Sequence, residues 1–218
     1  MGQQVMVVGL GRFGSAAARE LHALGHEVLA IDANESVVNE IAPEVTHAVQ
    51  ADASDEAALR SLGAAQFQTA VVAMSSSVEA SIFATMALKR LGVPRVIAKA
   101  STALHGAILE RIGADRVVYP ESEAGIDVAH TLLIPNVHDY IDLAPRFGAA
   151  KIRVPDGLVG RTLAELDLAT RFKVTVIALA RGNAVKVNPH RDERLADGDF
   201  LVLIGQDDQL ASVTPDIA

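Results

Sequence analysis

Residues 4–14 read QVMVVGLGRFG, a run of β-branched and apolar residues followed at once by Gly9, Gly11 and Gly14 in the spacing G-x-G-x-x-G. A helical pattern opens at Arg12. A strand that breaks at a glycine and resumes as a helix leaves the first amides of that helix unpaired, and an anion can accept hydrogen bonds from them. Each glycine has its own task in such a turn. The first allows the sharp bend, the second lets a phosphate reach the backbone, and the third lets helix pack closely on strand. Asp32 closes the next apolar run, EVLAID (27–32), eighteen residues past Gly14. An acid there can accept from both ribose hydroxyls and repel a 2′-phosphate, which favours NAD or an ATP-type nucleotide over NADP.

Short β-branched runs continue to alternate with helical patterns. Strands are expected at 4–9, 27–32, 46–52, 69–74, 95–100 and 116–120, with helices at about 12–24, 35–42, 55–62, 77–91 and 103–112. Gly25, Gly92 and Gly113 fall where helices end in glycine. This predicts an α/β fold: a doubly wound, parallel-sheet, Rossmann-type N-terminal domain over residues 1–120. The pattern then changes to one amphipathic helix (121–133) stopped at LIPN, and a strand, VHDYIDL (137–143). Residues 121–143 are expected to form a connector helix and dimer hinge. PRFGAA (145–150) reads as a turn before a small α+β domain, 144–218, with strands 151–155, 174–181, 184–189 and 199–205 and one helix at about 161–170.

Several function classes are disfavoured by composition. The net charge is −8, and no window gathers the Lys and Arg needed to neutralise phosphate backbones, so nucleic acid is not an expected partner. With no cysteine there is no disulfide, thiolate metal site or cysteine nucleophile, in keeping with a reducing cytoplasm. The opening MGQQVMVVG lacks a basic n-region, and no apolar stretch approaches the ~20 residues that span a bilayer, so no direct membrane insertion is expected. Any membrane role comes through a partner.

Further candidates surround the glycine turn. Leu10, Arg12 and Phe13 lie inside it, and the Arg12 guanidinium could fold over a pyrophosphate or remain a surface cation. Ala33 follows Asp32. In QADASD (50–55), Asp52 with Ala53 lies at the sheet's carboxyl edge, where the acid could accept from an adenine amino group or cap the next helix, although Ser54 is better placed to cap. Met74 and Ser75, in the loop after the fourth strand, could meet a phosphate, while the serines of that loop could equally cap the long fourth helix. No catalytic pair presents itself. Tyr119 and Tyr140 are followed four residues later by Glu123 and Ala144, so the Tyr-x-x-x-Lys arrangement of many dehydrogenases is absent. His22 and His26 are four apart, but Gly25 falls between them at the expected helix end. A small NAD-dependent oxidoreductase is the alternative to a site that binds its nucleotide without consuming it.

Taken together, VVGLGRFG (7–14), LGHEVLAIDAN (24–34), QADASD (50–55), IGADRVVYPESEAG (112–125), DYIDL (139–143) and DGLVGRTLAELDL (156–168) resemble the TrkA/KtrA family. Its subunits carry a regulator-of-K⁺-conductance (RCK) N-terminal domain and a smaller RCK C-terminal domain. The resemblance implies that Gly9, Gly11 and Gly14 approach the phosphates, Arg12 contacts them, Asp32 holds the ribose and Asp52 lies at the adenine. It places Lys99 near the phosphates of a neighbouring site and Glu121 at a position linked to divalent or monovalent cation binding, although Glu121 also suits a helix N-terminal acid. It further implies ATP/ADP or NAD⁺/NADH as regulatory ligand, a homodimer able to build a larger ring, and a membrane K⁺-translocating subunit (TrkH/KtrB-like) as partner, with the chain peripheral to the cytoplasmic face. Some relatives bind cyclic di-AMP through an Arg that Ala169 replaces here, with Arg171 displaced by two, which disfavours that ligand.

Overall fold

The computed structural model describes residues 2–74, 77–133 and 137–213, the side chain of Leu133 excepted. It divides into two compact units, Met1–Glu121 and Ser122–Ala218.

The first unit is built on a parallel sheet. Its strands are β1 Gln4–Val8, β2 Glu27–Asp32, β3 His47–Gln50, β4 Thr69–Val72, β5 Arg95–Lys99 and β6 Arg116–Val118, in the order β3-β2-β1-β4-β5-β6. The connections are α1 Arg12–Ala23, α2 Glu35–Ile41, α3 Glu56–Ser61, α4 Val78–Arg90 and α5 Ala103–Arg111. Successive strand residues point to opposite faces. Val5 and Val7 therefore pack with Ala18 of α1 and with Val38 and Ile41 of α2. Met6 and Val8 pack on the other face with Leu59, Leu88 and Leu109 of α3, α4 and α5. Both faces are covered, so the strands must be apolar throughout rather than alternating. The order reverses between β1 and β4, and that switch point opens a crevice at their carboxyl ends.

Helix α1 ends as its sequence requires. Gly25 takes φ +85° and its amide reaches the His22 carbonyl, while His26 N–H bonds the Leu21 carbonyl. Strands β3 and β4 stop short of the expected 46–52 and 69–74, because the chain beyond each leaves the sheet to line the crevice. The helix after β3 is capped by Asp55, whose side chain accepts from Ala57 N–H, and not by Ser54. Ser77 caps α4, accepting from Ala80 N–H.

Helix α6, Pro120–Leu133, carries the chain into the second unit. There, β7 Val137–Ala144, β8 Phe147–Arg153, β9 Thr175–Arg181, β10 Ala184–Val187 and β11 Phe200–Gln206 form an antiparallel sheet ordered β10-β9-β11-β8-β7. Two sequence expectations change here. PRFGAA is mostly strand, since Pro145 and Arg146 alone make the turn, with Arg146 at φ +63°. Strand β7, placed in the connector by sequence, is an edge strand of this sheet and pairs with β8 along its length.

The single expected helix at 161–170 is two short ones, α7 Leu163–Leu166 and α8 Leu168–Phe172, broken where Asp167 adopts φ +43°. A last helix, α9 Asp207–Val213, was not anticipated. The core gathers Tyr140, Ile152, Leu166, Phe172, Leu179, Leu203 and Leu210. Asp199 is wholly buried in this unit, held by two hydrogen bonds from Arg181 (2.7 and 2.8 Å) and one from Ala196 N–H. These bonds hold its carboxyl below the usual range, the Arg181 guanidinium contributing most. Among the described residues no helix is long and apolar enough to cross a membrane.

Candidate functional site

The crevice at the switch point is a cleft of about 400 Å³, within the range of small-molecule sites. Its floor is the turn from β1 into α1. Gly9 takes φ +87°, and a Cβ there would lie 2.8 Å from Met74 Cγ, so both the bend and the close approach of the β4 loop require glycine. A Cβ on Gly14 would sit 1.8 Å from the Gly9 carbonyl oxygen, so helix and strand pack this closely only because Gly14 has no side chain. Gly11 is different. Its φ of −64° suits any residue, and nothing lies within 4 Å of where its Cβ would be. The folded chain gives no steric or conformational reason for glycine at this position.

Gly11 is the N-cap of α1, without a side-chain cap or an acid in the first turn. The other helices of this sheet are capped by Asn34, Asp55, Ser77 and Thr102, each accepting from a backbone amide. At α1 the unpaired amides and the positive end of the helix dipole are left to whatever lies above Gly11.

Asp32 holds the opposite wall. Its Oδ2 accepts from Leu10 N–H at 2.7 Å and its Oδ1 from Asn34 N–H at 2.8 Å, while Ala51 N–H bonds its carbonyl at 3.0 Å. One carboxylate thus fixes the glycine turn to the loop after β2. Each of its oxygens keeps a second lone pair for a ribose hydroxyl. Asp52 stands at the far end, where Ser54 donates to Oδ1 from its hydroxyl (2.6 Å) and its amide (2.9 Å). Those bonds, the hydroxyl's first, lower its pKa and keep it ionised. Both reach Oδ1, so among the described residues Oδ2 remains available to a donor in the cleft.

Of the residues singled out by sequence, the cleft brings together Gly9, Leu10, Gly11, Asp32, Ala33, Asp52, Ala53 and Met74. Ser75 lies outside the described residues. Phe13 and Gly14 do not line the cleft: Gly14 is buried in the helix–strand contact and Phe13 packs against the core under α1. Arg12 faces a neighbouring groove of about 350 Å³ between α1 and α2, with Ser15, Arg19 and Glu40.

Lys99 is buried away from the cleft. Its ammonium contacts Glu121 Oε1 at 2.5 Å and lies 5.8 Å from the Phe13 ring centre. The Lys99 bond is the main cause that lowers the Glu121 pKa, while the Glu121 side chain itself stays largely exposed; no group of three acidic or histidine residues able to hold a metal occurs among the described residues. Sequence reasoning missed Val8, Ile31, Asn34, Val37, Ala51 and Ala73, which also line the cleft. Asn34 was within reach, as the helix-capping residue two positions after Asp32; the apolar ones carry no signal apart from the fold. Among the described residues, the ionisable groups lining the cleft are Asp32 and Asp52, with no histidine, lysine or tyrosine beside them. In the second unit, Arg171 stacks over Phe172 at 4.9 Å, and its guanidinium reaches the Leu166 carbonyl at 3.5 Å.

Residues 5–120 match the family model of the TrkA-N domain, and residues 149–217 that of the TrkA-C domain. The Ktr system potassium uptake protein A of Bacillus subtilis (strain 168) is 36% identical over 203 residues, covering 93% of this chain and 91% of the relative. The solved GsuK RCK domain superposes with a TM-score of 0.68 at 19% identity, over 100% of this chain and 48% of that one. The GsuK channel bound to NAD gives 0.65 at 18% identity, over 100% and 40%. At those identities the structural likeness establishes a shared fold. With both domain models matched in order and a relative aligned over nearly its full length, the chain belongs to the TrkA family of potassium-uptake proteins, built as a TrkA-N domain followed by a TrkA-C domain.

Proposed function

We propose that this chain is a nucleotide-sensing regulatory subunit of a potassium-uptake system, acting at the cytoplasmic face through a membrane K⁺-translocating partner. Its regulatory ligand is a nucleotide carrying an unsubstituted ribose and a di- or polyphosphate: ATP and ADP, or NAD⁺ and NADH. The observation that carries this reading is Gly11, a glycine with no structural reason at the one N-terminus among α1 to α5 that has no side-chain cap, beside a carboxylate suited to a ribose. The phosphates lie against the α1 amides, Asp32 accepts from the ribose hydroxyls, and Asp52 Oδ2 accepts from the adenine amino group. Arg12, at the mouth of the adjoining groove, reaches the outer phosphate.

The Ktr potassium-uptake relative supports potassium transport as the setting. Binding does work here only by differential affinity, in which two conformations of an assembled homo-oligomer prefer different nucleotides and the transporter responds to their ratio. Titration of the purified protein with ATP, ADP, NAD⁺ and NADH, with solution mass measured in each state, tests the proposal. Saturable binding with a ligand-dependent change in the assembly is expected, and no affinity for any of the four would overturn it.

A further inference from the structure

We propose that Met74 is a reversible oxidation site through which peroxides weaken nucleotide binding; this rests on the reading of the cleft as a nucleotide site. Met74 leaves β4 at the switch point, lines the cleft and is half-buried, with its Cγ packed against the Gly9 turn. The chain has no cysteine, so no thiol competes for oxidant. The other described methionines frame the case. Met6 is fully buried under the sheet, and Met86 is 36% exposed on α4, away from the cleft. Met74 alone among them is both partly exposed and part of the binding wall.

With hydrogen peroxide or an alkyl hydroperoxide as oxidant, the Met74 sulfur attacks one peroxide oxygen. The bond formed is to the terminal hydroxyl oxygen; the O–O bond breaks as this S–O bond forms, sulfur gives up two electrons, and the proton of the transferred hydroxyl passes to the leaving oxygen, which departs as water or alcohol. The product is a sulfoxide, and a methionine sulfoxide reductase reverses the change. Its oxygen is a strong acceptor placed beside Val8 and Ala73, which among the described residues of that wall offer it no side-chain donor. It also turns negative charge density toward a ligand that is itself anionic, and adds bulk where Gly9 tolerates none. An uncompensated polar group of this kind lowers affinity by about tenfold or more. A bound nucleotide covers the sulfur, so occupancy protects the site.

The test exposes the full chain to hydrogen peroxide with and without saturating ADP, maps added oxygen by peptide mass spectrometry, and measures ADP affinity by calorimetry before and after. Expected are oxidation of Met74 in free protein but not with ADP, oxidation of Met86 in both, and a matching loss of affinity that a sulfoxide reductase restores. Met74→Leu should keep its own starting affinity through the treatment, whereas Met86→Leu should lose affinity as the parent does. Met74 that stays unoxidised, oxidises equally with ADP bound, or oxidises without loss of affinity overturns the inference, as does an equal loss in Met74→Leu. Untreated protein that binds none of the four nucleotides overturns instead the reading of the cleft.

Discussion

Gly11→Asp separates binding from folding. A Cβ at this position meets no atom within 4 Å, and φ of −64° with ψ of −175° is ordinary for an N-cap residue. Aspartate is a favoured N-cap and gains only a few tenths of a kcal/mol over glycine there, so the melting temperature should stay within about 2 °C of the parent or rise slightly. The same carboxylate takes up the α1 amides and places a negative charge where the phosphate would lie. Two unit charges about 4 Å apart near a protein surface repel by roughly 4 kcal/mol, a loss of affinity on the order of a thousandfold. Gly11→Ala, uncharged and unable to cap, should lose far less. Calorimetric titration with the four nucleotides and thermal unfolding read the two effects separately. Unchanged affinity in Gly11→Asp would remove the phosphate from this turn; a large fall in melting temperature would show that Gly11 serves the fold after all.

Gly14→Ala should do the reverse, since its methyl would meet the Gly9 carbonyl oxygen at 1.8 Å; a loss of about 3 kcal/mol or more in denaturant unfolding is expected, and a stable variant would contradict the packing described. Asp32→Ala removes the acceptor for the Leu10 and Asn34 amides and for the ribose, and should weaken nucleotide binding by about 2–3 kcal/mol. The parent should also discriminate against 2′-deoxy-ATP, and Asp32→Ala should not. In the second unit, Asp199→Asn replaces a fully buried carboxylate that accepts from the half-exposed Arg181 guanidinium and from Ala196 N–H with a weaker, neutral acceptor, and should cost about 2 kcal/mol at pH 7. Because the folded-state pKa of Asp199 lies below its unfolded value, its contribution is intact above about pH 4 and lost as pH falls through the lowered value. Thermal unfolding between pH 7 and pH 3 should therefore show a steeper acid loss in the parent than in Asp199→Asn, and parallel curves would contradict this.

The sequence by itself determined the first unit. Glycine spacing, Asp32 and the alternation of apolar runs with helices are local signals, because a strand buried on both faces must be apolar along its length and a helix end needs its cap or its glycine. It also marked most of the cleft's polar residues. Only the tertiary structure could decide what those residues do with one another. The open space at Gly11 against the closed space at Gly14, the pairing of Lys99 with Glu121, and the placement of Arg12 in the adjoining groove depend on elements far apart in the chain. The second unit was less legible for the same reason. Strand β7 joins the sheet through β8, which is itself held by the distant strand β11, and the helix at 161–170 breaks at Asp167 in a left-handed conformation that local propensity does not announce. Where neighbours in sequence set the energy the chain could be read in advance; where distant groups set it, only the packed fold could say.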